Sequence, residues 1–404
     1  MSDIINIGPD GTVSAPACPT IPFIRGDGIG PEVWAAAEQV FNRAVEKCYG
    51  GQRRVNWLEI FAGERALKEK GDLLPEATVE AIRTYHVAIK APLTTPVGGG
   101  FRSVNVSLRV LLDLYSCIRP VSHFPGVPSP LVRPDDVDMV IFRENTEDVY
   151  VGLEWEAGSA EAAQVIALVE KLGGKTVRPD SGIGIKPISK TGTRRLVRRA
   201  IEYALQNGRP SVTLVHKGNI MKHTEGAFAR WGYELAAEEY GDRIITEKDV
   251  KANHGGLCPE GRLVVKDRIA DAMFQEILLH PADYSVLALP NLNGDYISDA
   301  LAATVGGLGI APGGNIGDQY ALFEATHGSA PAIAGQNKAN PTSLILSGAM
   351  MFEFIGWGEV KEALERAVTS AIASKRVTVD LAENMPGATT LSCSDFADNI
   401  CAHL

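Results

Sequence analysis

The sequence has no hydrophobic run long enough to cross a membrane. Its most apolar long stretch, Leu301 to Gly314, is broken by glycines and ends in Pro-Gly-Gly, short of the roughly 20 residues that a helical span needs. Cysteine is sparse and unpaired in pattern: Cys18, Cys48, Cys117, Cys258, Cys393 and Cys401 lie far apart with no CxxC. That spacing indicates neither a zinc site nor a disulfide framework. Reduced thiols, and an N-terminus (MSDIINIGPDGTVSAP) without an apolar leader core, point to a cytoplasmic location. Positive charge is in deficit, with Lys+Arg 39 against Asp+Glu 49 and a net charge of -10. Such a chain is a poor general nucleic-acid binder, and with 7% aromatics it has few stacking platforms. Three enzyme signatures are also missing. The eight histidines form no H-E-x-x-H, which disfavours a zinc hydrolase, and neither G-x-S-x-G nor a Walker A loop occurs.

What is present is a large core with a glycine surplus. The 404 residues are 45% hydrophobic and include 41 glycines, enough for about two or three domains and for many tight turns. Short apolar runs such as Ile21–Ile24, Tyr85–Ile89, Met139–Phe142, Ser211–Val215 and Tyr284–Leu289 read as strands. They alternate with helical patterns over 32–45, 77–83, 104–114, 160–172, 193–206, 266–279, from about 296, 342–355 and 359–374. Alternation at this scale predicts α/β layers with a largely parallel sheet. The cluster Gly26-Asp27-Gly28-Ile29-Gly30 brings its third glycine one residue too early for a dinucleotide fingerprint, so it reads as a structural strand-to-helix turn.

Several constellations can carry chemistry. In GGGFRSVNVSLRV, Asn105 and Arg109 share a helix face, and Ser103 stands at that helix's start, where hydroxyls cap and anions are favoured. Arg119 and Arg143 each leave an apolar element. Together the three arginines suit a molecule with several carboxylates; equally, they can pair with Asp113, Glu144 and Glu147 at the surface. The run Arg194, Arg195, Arg198, Arg199 reads as a solvated helix face. Asp267 and Asp271, and again Asp295 and Asp299, are spaced i,i+4, giving hard oxygen donors for Mg²⁺ or Mn²⁺ or simple helix-start charges. Lys217, after a strand, can donate a proton or contact an anion, and Tyr150 can shuttle a proton or merely be buried. The glycine-rich stretch 306–317 before ATHGSAP suits either a cofactor loop or a tight structural crossing.

The segments RSVNVSLR, MVIFRENTEDVYVG, LVHKGNIMKHTEGAF, NLNGDYISDALAA and LFEATHGSAP together resemble the isocitrate dehydrogenases, of bacterial homodimeric type, in the isocitrate/isopropylmalate (β-decarboxylating) dehydrogenase family. The resemblance covers essentially the whole chain. It implies an α/β fold that is not a classical Rossmann fold. A large domain would comprise 1–114 and 306–404, a small one 115–147 and 190–305, and a dimerising clasp 148–189. It implies substrate carboxylates held by Ser103, Asn105, Arg109, Arg119 and Arg143, with Tyr150 and Lys217 catalytic. Divalent metal would fall to Asp295, Asp299 and Asp271, with Lys217 and Asp271 completing the neighbouring subunit's site in a homodimer. The cofactor would contact Thr95, Asn219, His327, Gly328, Ala332, Ile333, Asn340 and Val379. NADP-type relatives carry phosphate-clamping residues where this chain has Ala332, Ile333, Val379, Glu383 and His280, so the resemblance implies NAD. Isocitrate is the implied substrate, and NADP-dependent, homoisocitrate or isopropylmalate chemistry, or an inactive regulatory homologue, are the alternatives. Ser103 matches a serine that a kinase phosphorylates in some relatives. Neither nucleic acid nor membrane is an expected partner.

Overall fold

A computed structural model of the chain describes residues 3–8, 11–94, 103–173 and 175–404. Its centre is one eleven-stranded mixed sheet. In spatial order the strands are Ile244–Thr246, Leu263–Ile269, Ser211–His216, Val286–Leu289, Asp138–Glu144, Ser116–Ser122, Pro312–Ile316, Ala321–Ala325, Val87–Lys90, Thr20–Ile24 and Asn56–Ile60. The first five are mutually parallel, as are the last four. Ser116–Ser122 and Pro312–Ile316 join the two halves through three antiparallel pairings. Helices cover the sheet, so the parallel strands read as continuous apolar runs; Val286–Leu289 is buried throughout.

Helix Gly30–Tyr49 shows why these segments fold as they do. Pro31 occupies its first turn, Gly50 closes it at φ 55°, and Val33, Trp34, Ala37, Val40, Phe41 and Ala44 form its buried face. Trp34 stacks on Phe23 of the sheet, ring centroids 4.1 Å apart. Across the same core, a Cβ on Gly348 would lie 2.2 Å from the Phe41 ring. Part of the glycine surplus therefore serves close helix packing. Gly348→Ala should cost about 1–3 kcal/mol, read as a lower urea midpoint with unchanged slope.

Several sequence expectations need adjustment. Val104–Leu111 is a helix, but it stops before Leu114 because Asp113 turns the chain at φ 47°. Residues 263–269 form a strand, and the helix begins only at Ala270. The β-branched run Val264-Val265 pairs with Ser211–Val212 there, so Asp267 and Asp271 do not share a helix face. The NLNGD helix starts at Asn291, directly after Pro290, which places Asp295 in its second turn. The glycine stretch 306–317 is not an open loop, since Pro312–Ile316 is a central strand. There a Cβ on Gly314 would meet the Phe323 ring at 2.9 Å. The early cluster is a structural turn: Asp27 accepts N–H bonds from Glu64, Arg65 and Thr94, and Gly28 passes against the Ser329 carbonyl. Residues 148–189 hold the paired strands Glu154–Trp155 and Ile183–Gly184 and helix Ala160–Gly173. All six cysteines are free. Among the described residues no helix is long and apolar enough to cross a membrane.

Candidate active site

Sheet register gathers the charged residues on one face. Cys117 lies opposite Arg143 and Arg119 opposite Ile141, so Arg119 and Arg143 are diagonal neighbours with side chains on the same side. Cys117 also faces Asn315, and Glu324 pairs with Gly313 on one flank and Lys90 on the other. Helix Val104–Leu111 crosses this face and brings Arg109 down onto it, where Nη2 donates to Glu324 Oε1 at 2.8 Å. Arg109, Arg119 and Arg143 are all buried. Burial disfavours the Arg143 charge most, and Arg109 and Arg119 add repulsion, which together lower its basicity.

The acidic partners come from the helix Asn291–Thr304. A Cβ on Gly294 would lie 2.5 Å from Arg143 Cγ, so glycine at this position lets the helix press against the strand. Arg143 Nη1 then donates to Asp295 Oδ1 at 2.6 Å, while its Nε and Nη2 donate to Asn291 Oδ1. Arg119 Nη1 donates to Ser298 Oγ at 2.6 Å and to Asp299 Oδ1 at 3.0 Å. Tyr150, in the turn Asp148–Val151, donates to Asp295 Oδ2 at 2.6 Å, with the Arg143 guanidinium 5.0 Å from its ring centre. Burial, reinforced by the Asp295 carboxylate, pushes the Tyr150 hydroxyl up to about 12. Burial raises Asp299, and Asp295 raises it further. Burial pushes Asp295 the same way, but the arginines and the Tyr150 hydroxyl outweigh it and hold that carboxyl low.

The arginine cluster also leaves polar atoms without partners. Asn105 Oδ1, Arg109 Nε and Arg119 Nε are buried and make no hydrogen bond. Buried donors and acceptors left open in this way fit a polar ligand of several oxygens. Ser103 heads the helix, but its hydroxyl makes no capping bond. The bland surface pairing of the arginines with Glu144 and Glu147 is not found: Glu144 instead accepts from Thr146 and the Glu147 N–H. Three residues that sequence reasoning passed over join the cluster. Lys90 Nζ lies 2.7 Å from Glu324 Oε2, so Lys90, Glu324 and Arg109 form one buried ion triad. Asn315 Nδ2 donates to the same carboxylate at 2.7 Å. A lone charge at the end or middle of an otherwise apolar buried strand was the available signal.

Lys217 and Asp271 lie apart from this cluster. Lys217 follows strand Ser211–His216, Asp271 opens helix Ala270–Leu279, and the two pair with each other in an exposed position. Asn219 is exposed in the same turn. Among the described residues no three His, Cys, Asp or Glu side chains come together to hold a metal ion. Asp295 and Asp299 present oxygen donors suited to Mg²⁺ or Mn²⁺, so the set fits such an ion once a third carboxylate approaches. The run Arg194–Arg199 is a paired surface: Arg194 and Arg198 bind Glu239, and Arg195 and Arg199 stack on Tyr115.

A second cavity, of about 360 Å³, lies by the THGSAP turn. His327, Gly328, Ile333, Asn340 and Val379 line it, together with Lys338. His327 is half-buried, its Nε2 is buried without a partner, and burial lowers its basicity. That open nitrogen fits a nucleotide. Thr94 and Ser329 hydroxyls hydrogen-bond beside it at 2.5 Å. Ala332 is exposed and off the wall, and Thr95 lies outside the described residues.

An α/β chain with this mixed sheet and a buried arginine–carboxylate cluster matches the dehydrogenase class. The chain belongs to the isocitrate/isopropylmalate dehydrogenase family, whose model matches residues 20–400. It is 54% identical to a protein of Archaeoglobus fulgidus named isocitrate dehydrogenase [NADP], over 98% of this chain and 95% of that one. A Pseudomonas aeruginosa protein of the same name is 54% identical over 100% of this chain and 97% of its own. The crystal structure of isocitrate dehydrogenase from Methylococcus capsulatus superposes with a TM-score of 0.78 at 37% identity, covering 95% of this chain and 98% of that chain.

These names overturn the expectation of NAD. That expectation rested on missing phosphate donors and on Glu383 as a repelling anion. Glu383 is exposed and off the cavity wall, Ile333 and Val379 do line it, and the wall carries both a cation, Lys338, and an anion, Asp380.

Proposed function

We propose that the protein catalyses the NADP-dependent oxidative decarboxylation of isocitrate to 2-oxoglutarate and CO₂ as a homodimer. The observation that carries this reading is the convergence of Arg109, Arg119 and Arg143, with open Nε donors on Arg109 and Arg119, beside Tyr150, Asp295 and Asp299. The guanidinium forks, with Ser103 and Asn105, hold the substrate carboxylates. Asp295 and Asp299, with Asp271 of the partner subunit, would hold Mg²⁺ or Mn²⁺. NADP, held by the residues of the His327 cavity, would supply the hydride acceptor for C2 as the C2 hydroxyl proton leaves to solvent, and the metal would supply stabilisation of negative charge on the C2 oxygen. When the C3–carboxylate bond breaks, its electron pair passes into the enolate and CO₂ leaves. The Tyr150 hydroxyl then gives its proton to C3, and Lys217 of the partner subunit restores it. Exposed pairing of Lys217 with Asp271, outside the arginine cluster, supports their service to a neighbouring copy. So do the exposed apolar side chains Leu153, Leu168 and Leu172 on the clasp region.

Initial rates with isocitrate and Mn²⁺, measured with NADP and NAD in parallel, test the reading. A kcat/KM favouring NADP by about tenfold or more is expected, and an NAD advantage rejects it. Chelation with EDTA should abolish turnover and Mn²⁺ should restore it. Ser103→Asp places an anion beside the arginines and should raise KM for isocitrate by about tenfold or more, whether or not a kinase acts on Ser103. An unchanged KM removes Ser103 from the substrate pocket.

A further inference from the structure

Between the Tyr150 turn and the Lys217 turn lies a buried ion cluster to which the roles above assign nothing. The side chains of Asp148 and Glu225 are each 1% exposed. Lys186, entering from the clasp region, binds Asp148 Oδ1 and stands 3.0 Å from Glu225 Oε1. Each carboxylate grips one turn and the helix Asn291–Thr304. Asp148 Oδ1 accepts the Val149 N–H at 2.7 Å, one residue before Tyr150. Its Oδ2 accepts the Leu292 N–H at 3.1 Å, in the first turn of the helix that carries Asp295 and Asp299. Glu225 Oε2 accepts the backbone N–H of Lys217 and, at 2.8 Å, the side-chain amide of Asn293.

The backbone here is held against its preference. Asp148 sits at φ 70°, a conformation that costs a non-glycine residue energy and persists only where surrounding bonds enforce it. Its N–H donates to the Pro187 carbonyl at 2.9 Å, next to Lys186. With one ammonium between two buried carboxylates, removing the cation leaves two uncompensated anions facing each other.

We propose that Lys186 is a positioning residue. It locks the Tyr150 turn, the Asp295 helix and the Lys217 turn into one unit, so a single ion cluster sets a subunit's own site and its contribution to the neighbour's. The inference rests on the shared-site reading above, and the test separates the two. Tyr150→Phe and Lys217→Met subunits, each strongly impaired alone, are mixed to give dimers with one intact site. Recovered turnover supports shared sites, and none rejects them. Lys186→Gln is then added to one parent or the other, so that it lies behind Lys217 or behind Tyr150 of the intact site. In both placements kcat should fall by about tenfold or more, with KM for isocitrate changed by less than about threefold. Lys186→Arg should recover most of the rate. A rate within about twofold in either placement overturns the lock. Should the Gln variant not fold, Asn293→Leu, which cuts the bond between Glu225 and the Asp295 helix, is read by the same criteria. Should complementation fail, kcat of the Lys186→Gln homo-oligomer against Lys186→Arg decides the lock at Tyr150 alone.

Discussion

Tyr150→Phe should lower kcat with isocitrate by about 100-fold or more, the range expected when a positioned proton donor is removed, with little change in KM. The hydroxyl is the only atom lost, and the ring keeps its place over Arg143. In the resting site this hydroxyl is a donor to Asp295, and burial keeps it protonated far above neutral pH. The group therefore holds its proton at neutral pH, and in the proposed reaction that proton would be needed at C3 only after CO₂ has left. The loss should thus fall on decarboxylation and protonation rather than on binding. Conversion of oxalosuccinate should slow as much as overall turnover. Unchanged kcat together with unchanged oxalosuccinate conversion would remove Tyr150 from the mechanism. Asp295 also loses a hydrogen bond in the variant, so a modest weakening of Mn²⁺ affinity is expected alongside.

Glu324→Gln should destabilise the protein by roughly 3–5 kcal/mol, the cost of breaking a buried ion pair from one side. The side chains of Lys90, Arg109 and Glu324 are 2%, 10% and 8% exposed, so water cannot take over from the lost carboxylate. Gln keeps the shape but leaves two cations facing each other. Burial alone would raise the Glu324 carboxyl, but Lys90 and Arg109 overcome it and hold it well below its ordinary value of 4.5. A depressed folded-state value means that this stabilisation is complete above the unfolded value, near pH 4.5, and is lost as pH falls through the folded one. Urea unfolding of wild type and variant at pH 7 measures the difference. Adding Lys90→Met should recover part of it, because one of the two unpaired cations is gone. A loss below about 1 kcal/mol would mean that water or another anion replaces Glu324. Arg109 should also lose its fixed direction, raising KM for isocitrate.

Much of the site was legible because its residues follow local rules. Asn105 and Arg109 share a helix face by spacing, and Asp295 and Asp299 do so whether the helix begins at Asn291 or later. Arg143 was visible as a cation closing an apolar strand. Other expectations failed where tertiary pairing overrode periodicity. Asp267 fits a helical spacing to Asp271 yet lies in a strand, where its carboxylate accepts from Tyr233 and stands beside His216. Lys90 and Glu324 went unnoticed because their partnership spans residues far apart in the chain and exists only through parallel strand register. Cofactor preference failed for a related reason. It was judged from local positions with missing groups, and relatives named for NADP overturn it.

The sequence alone determined the α/β class and marked the arginines and aspartates that end apolar elements or share a helical spacing. Those follow from composition, spacing and alternation, which are properties of neighbouring residues. Only the tertiary structure decided that three arginines meet on one face of the sheet, that Glu324 anchors one of them, and that Lys217 pairs with Asp271 away from Tyr150. Each of these depends on which strands lie side by side and in what register, and a pairing energy between distant segments has no local signature.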